Sequence, residues 1–344
     1  MRQLHFNLFL HGCGHHQAAW RHPASQVEQL TDITYYERLA QTAEAGLFDA
    51  IFFADGQAVG DPSAGPLWNL EPFTTLAAMA RNTSRIGLIS TVSTTFHSPF
   101  HVARMLASLD HISRGRIGWN VVTSMFDAEA HNHSMTAMPP SDERYARAAE
   151  FIDVVSALWD SWADDAIQAD SNGVFADPTK LHPVHHVGKH FQVAGPLNIS
   201  RGPQGRPVLF QAGASEAGRQ LAARYAEGIY AVAYELASGQ EYYADLKSRI
   251  ATQGRNPATV AIMPGLVTYV GSTEAEARAK QADIDQLLPT EQALAQLSTF
   301  IGQDCSDWEL DAPVPDLPPA GGFTGPQGRG TTILRIIAVE RPTV

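Results

Sequence analysis

The sequence predicts a parallel α/β barrel. Apolar strand-like runs alternate with helix-period segments along most of the 344 residues. Those runs end in small or polar residues, which in a (β/α)8 barrel all lie on the one face where sites are built. The main competitor, an open doubly wound sheet, normally carries a glycine-rich phosphate turn after its first strand, and no GxGxxG or Walker sequence occurs.

The elements follow in order. Phe6 to Leu10 is strand-like and leads through an amphipathic stretch, Thr34 to Ala45 closed by Gly46, to a second run from Phe48 to Asp55, which makes one βαβ unit. Next come Ile86 to Val92, a helix near Pro99 to Ile112, Ile117 to Thr123, and a helix over roughly Asp142 to Trp162. Later runs are Pro207 to Ala212, Gly228 to Ala233 and Ile262 to Val270, separated by helices beginning near Ser215 and Gly239 and followed by one near Thr273 to Leu288. Seven strands are readable and an eighth is not. A βα unit with its connection needs about 30 residues, more than Thr331 to Val344 supplies. The expected organisation is a barrel over 1–310 lacking its eighth βα unit, and a Pro/Gly-rich tail over 311–344 in which Thr331 to Val339 is a candidate strand.

Composition narrows the function classes. Acidic residues outnumber basic ones by 36 to 24, and the net charge of −12 argues against nucleic acid or an anionic membrane as partner. Two cysteines, Cys13 and Cys305, give no disulfide framework and no paired-cysteine zinc site. No apolar run reaches about 18 residues, so the expected location is the cytoplasm.

Several residues carry chemistry. His11-Gly-Cys-Gly-His-His16 follows the first strand, placing three imidazoles and a thiol on one loop suited to proton transfer or metal ligation; a loop of half-exposed histidines is the alternative. Asn120 follows a tryptophan in an apolar strand, so its buried amide needs partners that a ligand or the backbone would supply. Gly213-Ala-Ser215 precedes a helix whose N-terminal amides favour an anion, although Ser215 also suits an ordinary N-cap. His131/His133 and His182/His185/His186 lack the spacing of a helical metal motif, so no metal is expected.

Longer motifs point further. Leu70 to Leu76, Arg85 to Thr95, Pro99 to Arg104, Leu109 to Ser113 and Gly118 to Ser124 resemble the bacterial luciferase-like flavin monooxygenases. Gly14-His-His16, Trp20-Arg-His-Pro23, Glu143-Arg-Tyr145, His186 to Gly188, Gly195 to Leu197 and Gln211 to Arg219 narrow the resemblance to the branch containing nitrilotriacetate and dibenzothiophene-sulfone monooxygenases. It covers about residues 5–310.

The resemblance implies a TIM barrel that takes reduced FMN (FMNH2) from a separate NAD(P)H:flavin reductase and uses O2 to oxygenate a small organic N- or S-containing compound, as in xenobiotic degradation. A homodimer is the expected assembly. His16 matches the pocket histidine. Asp55, Asn120 and Ser124 match positions that contact the flavin ring or ribityl chain. Tyr145, Gly213 and Ser215 match the phosphate end, and Cys13 is expected to line the substrate pocket. Two alternatives stand beside this reading: a truncated, catalytically impaired flavin-binding remnant with exposed sheet edges, and a metal-dependent barrel hydrolase using the histidine clusters.

Overall fold

The computed structural model describes residues 4–66, 70–317 and 327–344. Its strands are β1 (Asn7–Phe9), β2 (Ala50–Phe53), β3 (Gly87–Ser93), β4 (Ile117–Val122), β5 (His186–Val187), β6 (Gln192–Val193), β7 (Val208–Gln211), β8 (Gly228–Ala231) and β9 (Ala261–Pro264). The helices are α1 (Ile33–Ala45), α2 (Pro72–Asn82), α3 (Pro99–Ser113), α4 (Asp127–Asn132), α5 (Ser141–Trp159), α6 (Glu216–Tyr225), α7 (Leu236–Thr252), α8 (Glu274–Asp285), α9 (Thr290–Ile301) and α10 (Gln327–Glu340). Seven strands form one parallel sheet in the order β1-β2-β3-β4-β7-β8-β9, while β5 and β6 pair as a separate antiparallel ribbon.

Alternation along each strand sorts side chains into two environments. Ile51, Phe53, Leu88, Val92, Trp119, Val121 and Leu209 point outward into a core shared with α1, α2, α3 and α5. Ala50, Phe52, Ile89 and Phe210 point inward, where Phe9, Tyr230 and Met263 join them. The sheet is curled: Phe52 of β2 stacks on Tyr230 of β8 with ring centroids 4.6 Å apart. Asn7 of β1 donates to the Tyr230 hydroxyl at 3.1 Å. Strands distant in the sheet order thus meet across its concave face, in a half-barrel closed by aromatic contact rather than by a ladder.

Local chemistry accounts for the helix starts. Asp32 accepts the Thr34 N–H ahead of α1, Glu71 accepts those of Phe73 and Thr74 around the N-terminal Pro72 of α2, and Ser215 accepts that of Gly218 in α6.

Two expectations are corrected. The run Ile262 to Val270 pairs only as far as Pro264, which has no N–H to continue a ladder, and Leu266, Val267 and Val270 are exposed. Thr331 to Val339 is helical, as part of α10. Ile333 and Leu334 pack there with Leu294, Ile301 and Cys305, a spacing that serves a helix face better than a strand. Among the described residues no strand pairs with the free edge of β1 or of β9. Residues 318–326 of the expected Pro/Gly-rich tract lie outside the described residues.

Candidate active site

The concave face changes character along the strands. In β3 the inward positions run Ile89, Thr91, Ser93, and in β4 they run Gly118, Asn120, with register Thr91 opposite Asn120 and Asn120 opposite Phe210. The lumen is therefore polar along the C-terminal halves of β3 and β4, with Phe210 of β7 directly beside Asn120. Asn120 is buried; its Nδ2 donates to Thr91 Oγ1 at 2.9 Å, while its Oδ1 is buried without a hydrogen-bond partner. An orphaned amide oxygen costs about 1–3 kcal/mol, which a ligand's N–H or O–H would recover.

Ser124 lies just beyond β4 with φ of 53°, a left-handed conformation uncommon outside glycine. Its hydroxyl donates to Ser93 Oγ at 2.9 Å, and the Arg144 guanidinium holds its carbonyl. Asp55, beyond β2, accepts from Gln57 Nε2 at 3.0 Å. Burial raises its carboxyl above the ordinary range, and the charges of Glu71 and Glu129 push the same way against Gln57 and His97. Glu129 is buried, and its Oε1 accepts the Gln57 N–H at 3.3 Å.

Between β7 and α6 the loop meets the first helical turn at van der Waals limit. A Cβ on Gly213 would lie 2.9 Å from Gly218 Cα, 3.0 Å from the Tyr145 hydroxyl and 2.5 Å from Gln211 Nε2. Only hydrogen fits on either glycine. Gly213 N–H donates to Gln211 Oε1 at 2.7 Å, and Ser215 caps α6 at 3.2 Å. Backbone amides, a serine hydroxyl and a tyrosine hydroxyl thus converge at a helix N-terminus, an arrangement suited to a phosphate.

The first loop stands apart. His16 Nδ1 accepts the Ala18 N–H at 3.1 Å, and its Nε2 lies 3.2 Å from Asp285 Oδ1 at the end of α8. Cys13 is partly buried against the main core. Phe9 meets His11 and His15 edge-on, and the two imidazoles are tilted against each other, all with centroids 5.7 Å apart.

The structure places Asp55, Asn120, Ser124, Tyr145, Gly213 and Ser215 at or near the C-terminal ends of β2, β4 and β7, and brings Tyr145 against Gly213. Sequence reading missed Thr91, Ser93, Gly218, Arg144 and Asp285. Thr91, Ser93, Gly218 and Arg144 sit inside motifs already singled out, where alternation along β3 and the i+5 spacing of the two glycines were usable signals; Asp285 had none. Among the described residues no group of three His, Cys, Asp or Glu is arranged to hold a metal. His133 stacks on Phe96 at 4.3 Å, and His186 bonds Glu150 at 3.0 Å. A cavity of about 500 Å³ lies away from these strand ends, bounded by Asp160 after α5, Arg206 before β7 and Tyr225 at the end of α6; the topology puts those positions at the N-terminal end of the sheet. Among the described residues no helix is long and apolar enough to cross a membrane.

Comparison with known proteins agrees with this geometry. The chain is 44% identical over 319 residues to N-acetyl-S-(2-succino)cysteine monooxygenase of Bacillus subtilis (strain 168), covering 92% of this chain and 72% of that protein. It is 42% identical over 359 aligned positions to nitrilotriacetate monooxygenase component A of Aminobacter aminovorans, covering 100% and 79%. A crystal structure of riboflavin lyase with modified FMN and substrate riboflavin superposes with a TM-score of 0.83 at 33% identity, covering 91% of this chain and 73% of that one. The family described as Luciferase-like monooxygenase matches residues 1–311, and with that match and these relatives the chain belongs to the luciferase-like monooxygenases.

Proposed function

We propose that the chain is the oxygenase of a two-component system: it takes reduced FMN from a separate NAD(P)H:flavin reductase and uses O2 to oxygenate a small organic compound next to nitrogen or sulfur. The observation that carries this reading is the buried, unpartnered Oδ1 of Asn120 at the polar end of the lumen, together with the glycine-tight loop ahead of α6. The component name of the nitrilotriacetate relative supports a separate reductase, and the two relatives' names supply the nitrogen- and sulfur-containing substrate classes.

The residues present fit a flavin. Ser215, the N-terminal amides of α6 and the Tyr145 hydroxyl would hold the phosphate. The Asn120 amide would meet the polar edge of the ring, with Thr91 and Ser93 beside it. Reduced FMN, when bound, supplies the electrons that activate O2. The chain's own residues bind, orient and keep water out. The stacked Phe52, Tyr230 and Phe210 form a dry floor. Asp55, whose carboxyl is raised by burial, holds a proton to higher pH than an exposed aspartate. His16 holds one at Nε2, because Nδ1 is engaged as an acceptor, and is the residue to which we give proton transfer.

The test is anaerobic titration of the full chain with photoreduced FMN, followed by fluorescence and repeated with Ser215→Ala. Saturable binding that Ser215→Ala weakens about tenfold supports the reading; absence of binding by folded protein overturns it in favour of a remnant. With binding established, oxygenation of N-acetyl-S-(2-succino)cysteine or nitrilotriacetate that requires an added reductase identifies the reaction.

A further inference from the structure

We infer that the side-chain amide of Gln211 is a direct donor to the flavin phosphate, and that Gln211 thereby selects FMN over riboflavin. This rests on the flavin reading given above and adds a residue which that reading leaves out. Gln211 ends β7, where alternation turns it to the helix side of the sheet, in register with Val121. It is 5% exposed. Burying a primary amide is costly unless both of its ends are paired. Only one is: Oε1 accepts the Gly213 N–H at 2.7 Å, and among the described residues Nε2 has no hydrogen-bond partner. The same bond settles which way the amide lies, because an N–H is met by the oxygen and not by the NH2. Two N–H donors are therefore left on a side chain that cannot turn over without losing its one bond.

Those donors lie at the junction of β7 and α6. Nε2 and the Tyr145 hydroxyl are both within 3.0 Å of one point, the place a Cβ on Gly213 would take. Ala212 and Ala214 on either side of Gly213 are exposed, so a ligand reaches this loop from solvent. The loop's acceptors are occupied. The Ala214 carbonyl accepts Arg219 Nε at 3.0 Å, and the Ser215 carbonyl accepts the Arg219 N–H at 2.8 Å. Arg219 is fixed in turn by Asp245 of α7 at 2.9 Å. Because a trans peptide is planar, a carbonyl held by Arg219 sends the Ser215 N–H the opposite way. Ser215 Oγ accepts the Gly218 N–H at 3.2 Å, which leaves its own hydrogen to donate. A set with free donors and occupied carbonyls suits a phosphate, which only accepts, better than a hydroxyl chain, which needs acceptors as well.

The experiment titrates the full chain anaerobically with reduced FMN and, separately, with reduced riboflavin, which lacks only the phosphate. Gln211→Met should weaken reduced FMN about tenfold, as expected for one lost hydrogen bond to a charged group, and leave reduced riboflavin within twofold. Gln211→Glu separates contact from scaffold: it keeps an oxygen for the Gly213 N–H and, once ionised, turns the other end from donor to anion. A residue that only holds the loop leaves Gln211→Glu near the parent, whereas a phosphate donor makes it weaker than Gln211→Met, increasingly so as pH rises. Gln211→Glu within twofold of the parent, or equal losses for FMN and riboflavin, overturns the inference. Inorganic phosphate is the second probe and needs no variant to fold. In the parent, the Gln211 side-chain amide, assigned by its proximity to the Gly213 N–H, should shift saturably in proton–nitrogen spectra as phosphate is added. An unmoved Gln211 amide overturns the inference. If phosphate moves it and reduced FMN does not bind, the flavin reading falls and the contact between Gln211 and phosphate stands.

Discussion

Gly213→Ala is the sharpest test of the proposed phosphate end. The added methyl would meet Gly218 Cα at 2.9 Å and the Tyr145 hydroxyl at 3.0 Å, below ordinary contact distance. The Gln211 amide at 2.5 Å is the end of a side chain and can swing aside, but Gly218 is the backbone of the first turn of α6 and cannot move without moving the helix. Overpacking of this kind costs about 1–3 kcal/mol. If the loop relieves the clash by opening away from α6, the donors that would hold the phosphate separate and the cost appears in binding. At 1.4 kcal/mol per factor of ten, reduced FMN affinity falls about 5- to 150-fold. Anaerobic fluorescence titration measures it, with circular dichroism and a thermal melt to establish that the chain is folded. A folded Gly213→Ala protein that binds reduced FMN within twofold of the parent would refute the argument that this junction forms the phosphate end.

Three further outcomes are expected. Asn120→Leu removes the orphaned oxygen as well as the amide, so the ligand-free protein should melt within a few degrees of the parent while reduced FMN affinity falls at least tenfold; a large stability loss with intact binding would reverse the roles. Burial works against the Glu44 carboxylate, but N–H groups of Ser84, Arg85 and Ile86 converge on its Oε1, and its pKa is lowered from 4.5 to about 2. Its contribution is therefore present above the unfolded value of 4.5 and lost as pH falls toward about 2; the shift corresponds to about 3 kcal/mol, reduced to about 1–2 by partial exposure. Glu44→Gln should flatten urea stability against pH in that window, and an unchanged slope would contradict the linkage. Arg116 donates from Nε to the Ser113 carbonyl at 2.8 Å, from Nη1 to the Ile86 carbonyl at 2.7 Å and from Nη2 to the Ala80 carbonyl at 2.9 Å. Arg116→Met should cost about 3 kcal/mol in urea unfolding by stranding these acceptors, and a loss below about 1 kcal/mol would show that water replaces it.

Legibility in the sequence followed the range of each interaction. All seven barrel strands were readable because parallel strands covered on both faces are short apolar runs, and α1, α3, α5, α6, α7 and α8 because their periods and caps are local. Ser215 is found at once as an N-cap, as its position before a helix implies. The ends of elements depended on partners. Leu266 to Val270 is strand-like in composition, yet Pro264 and the lack of a neighbouring strand leave it unpaired. The tail Thr331 to Val339 is rich in β-branched residues, but packing against α9 selects helix. The site was legible where one strand or loop supplies it, as with Asn120 and Gly213. Asp285 lies 269 positions from His16, on a polar helix without a motif, so nothing short of the assembled chain pairs them.

The separate apolar cluster around Leu294, Ile301 and Cys305 also sets how the molecule comes apart. The main core is continuous through α1, α2, α3, α5 and Leu221 of α6 and the outward faces of β2, β3, β4 and β7, whereas the C-terminal cluster reaches the barrel rim through side-chain contacts with water access. A small cluster tied on by exposed polar contacts is expected to open at a lower free energy than the main core. On mild denaturation the amides of α9 and α10 should exchange with solvent together, at a lower opening free energy than those of α3 and α5. The C-terminal pair of helices should therefore open before the barrel does, and the midpoints compared above for core variants should report the barrel.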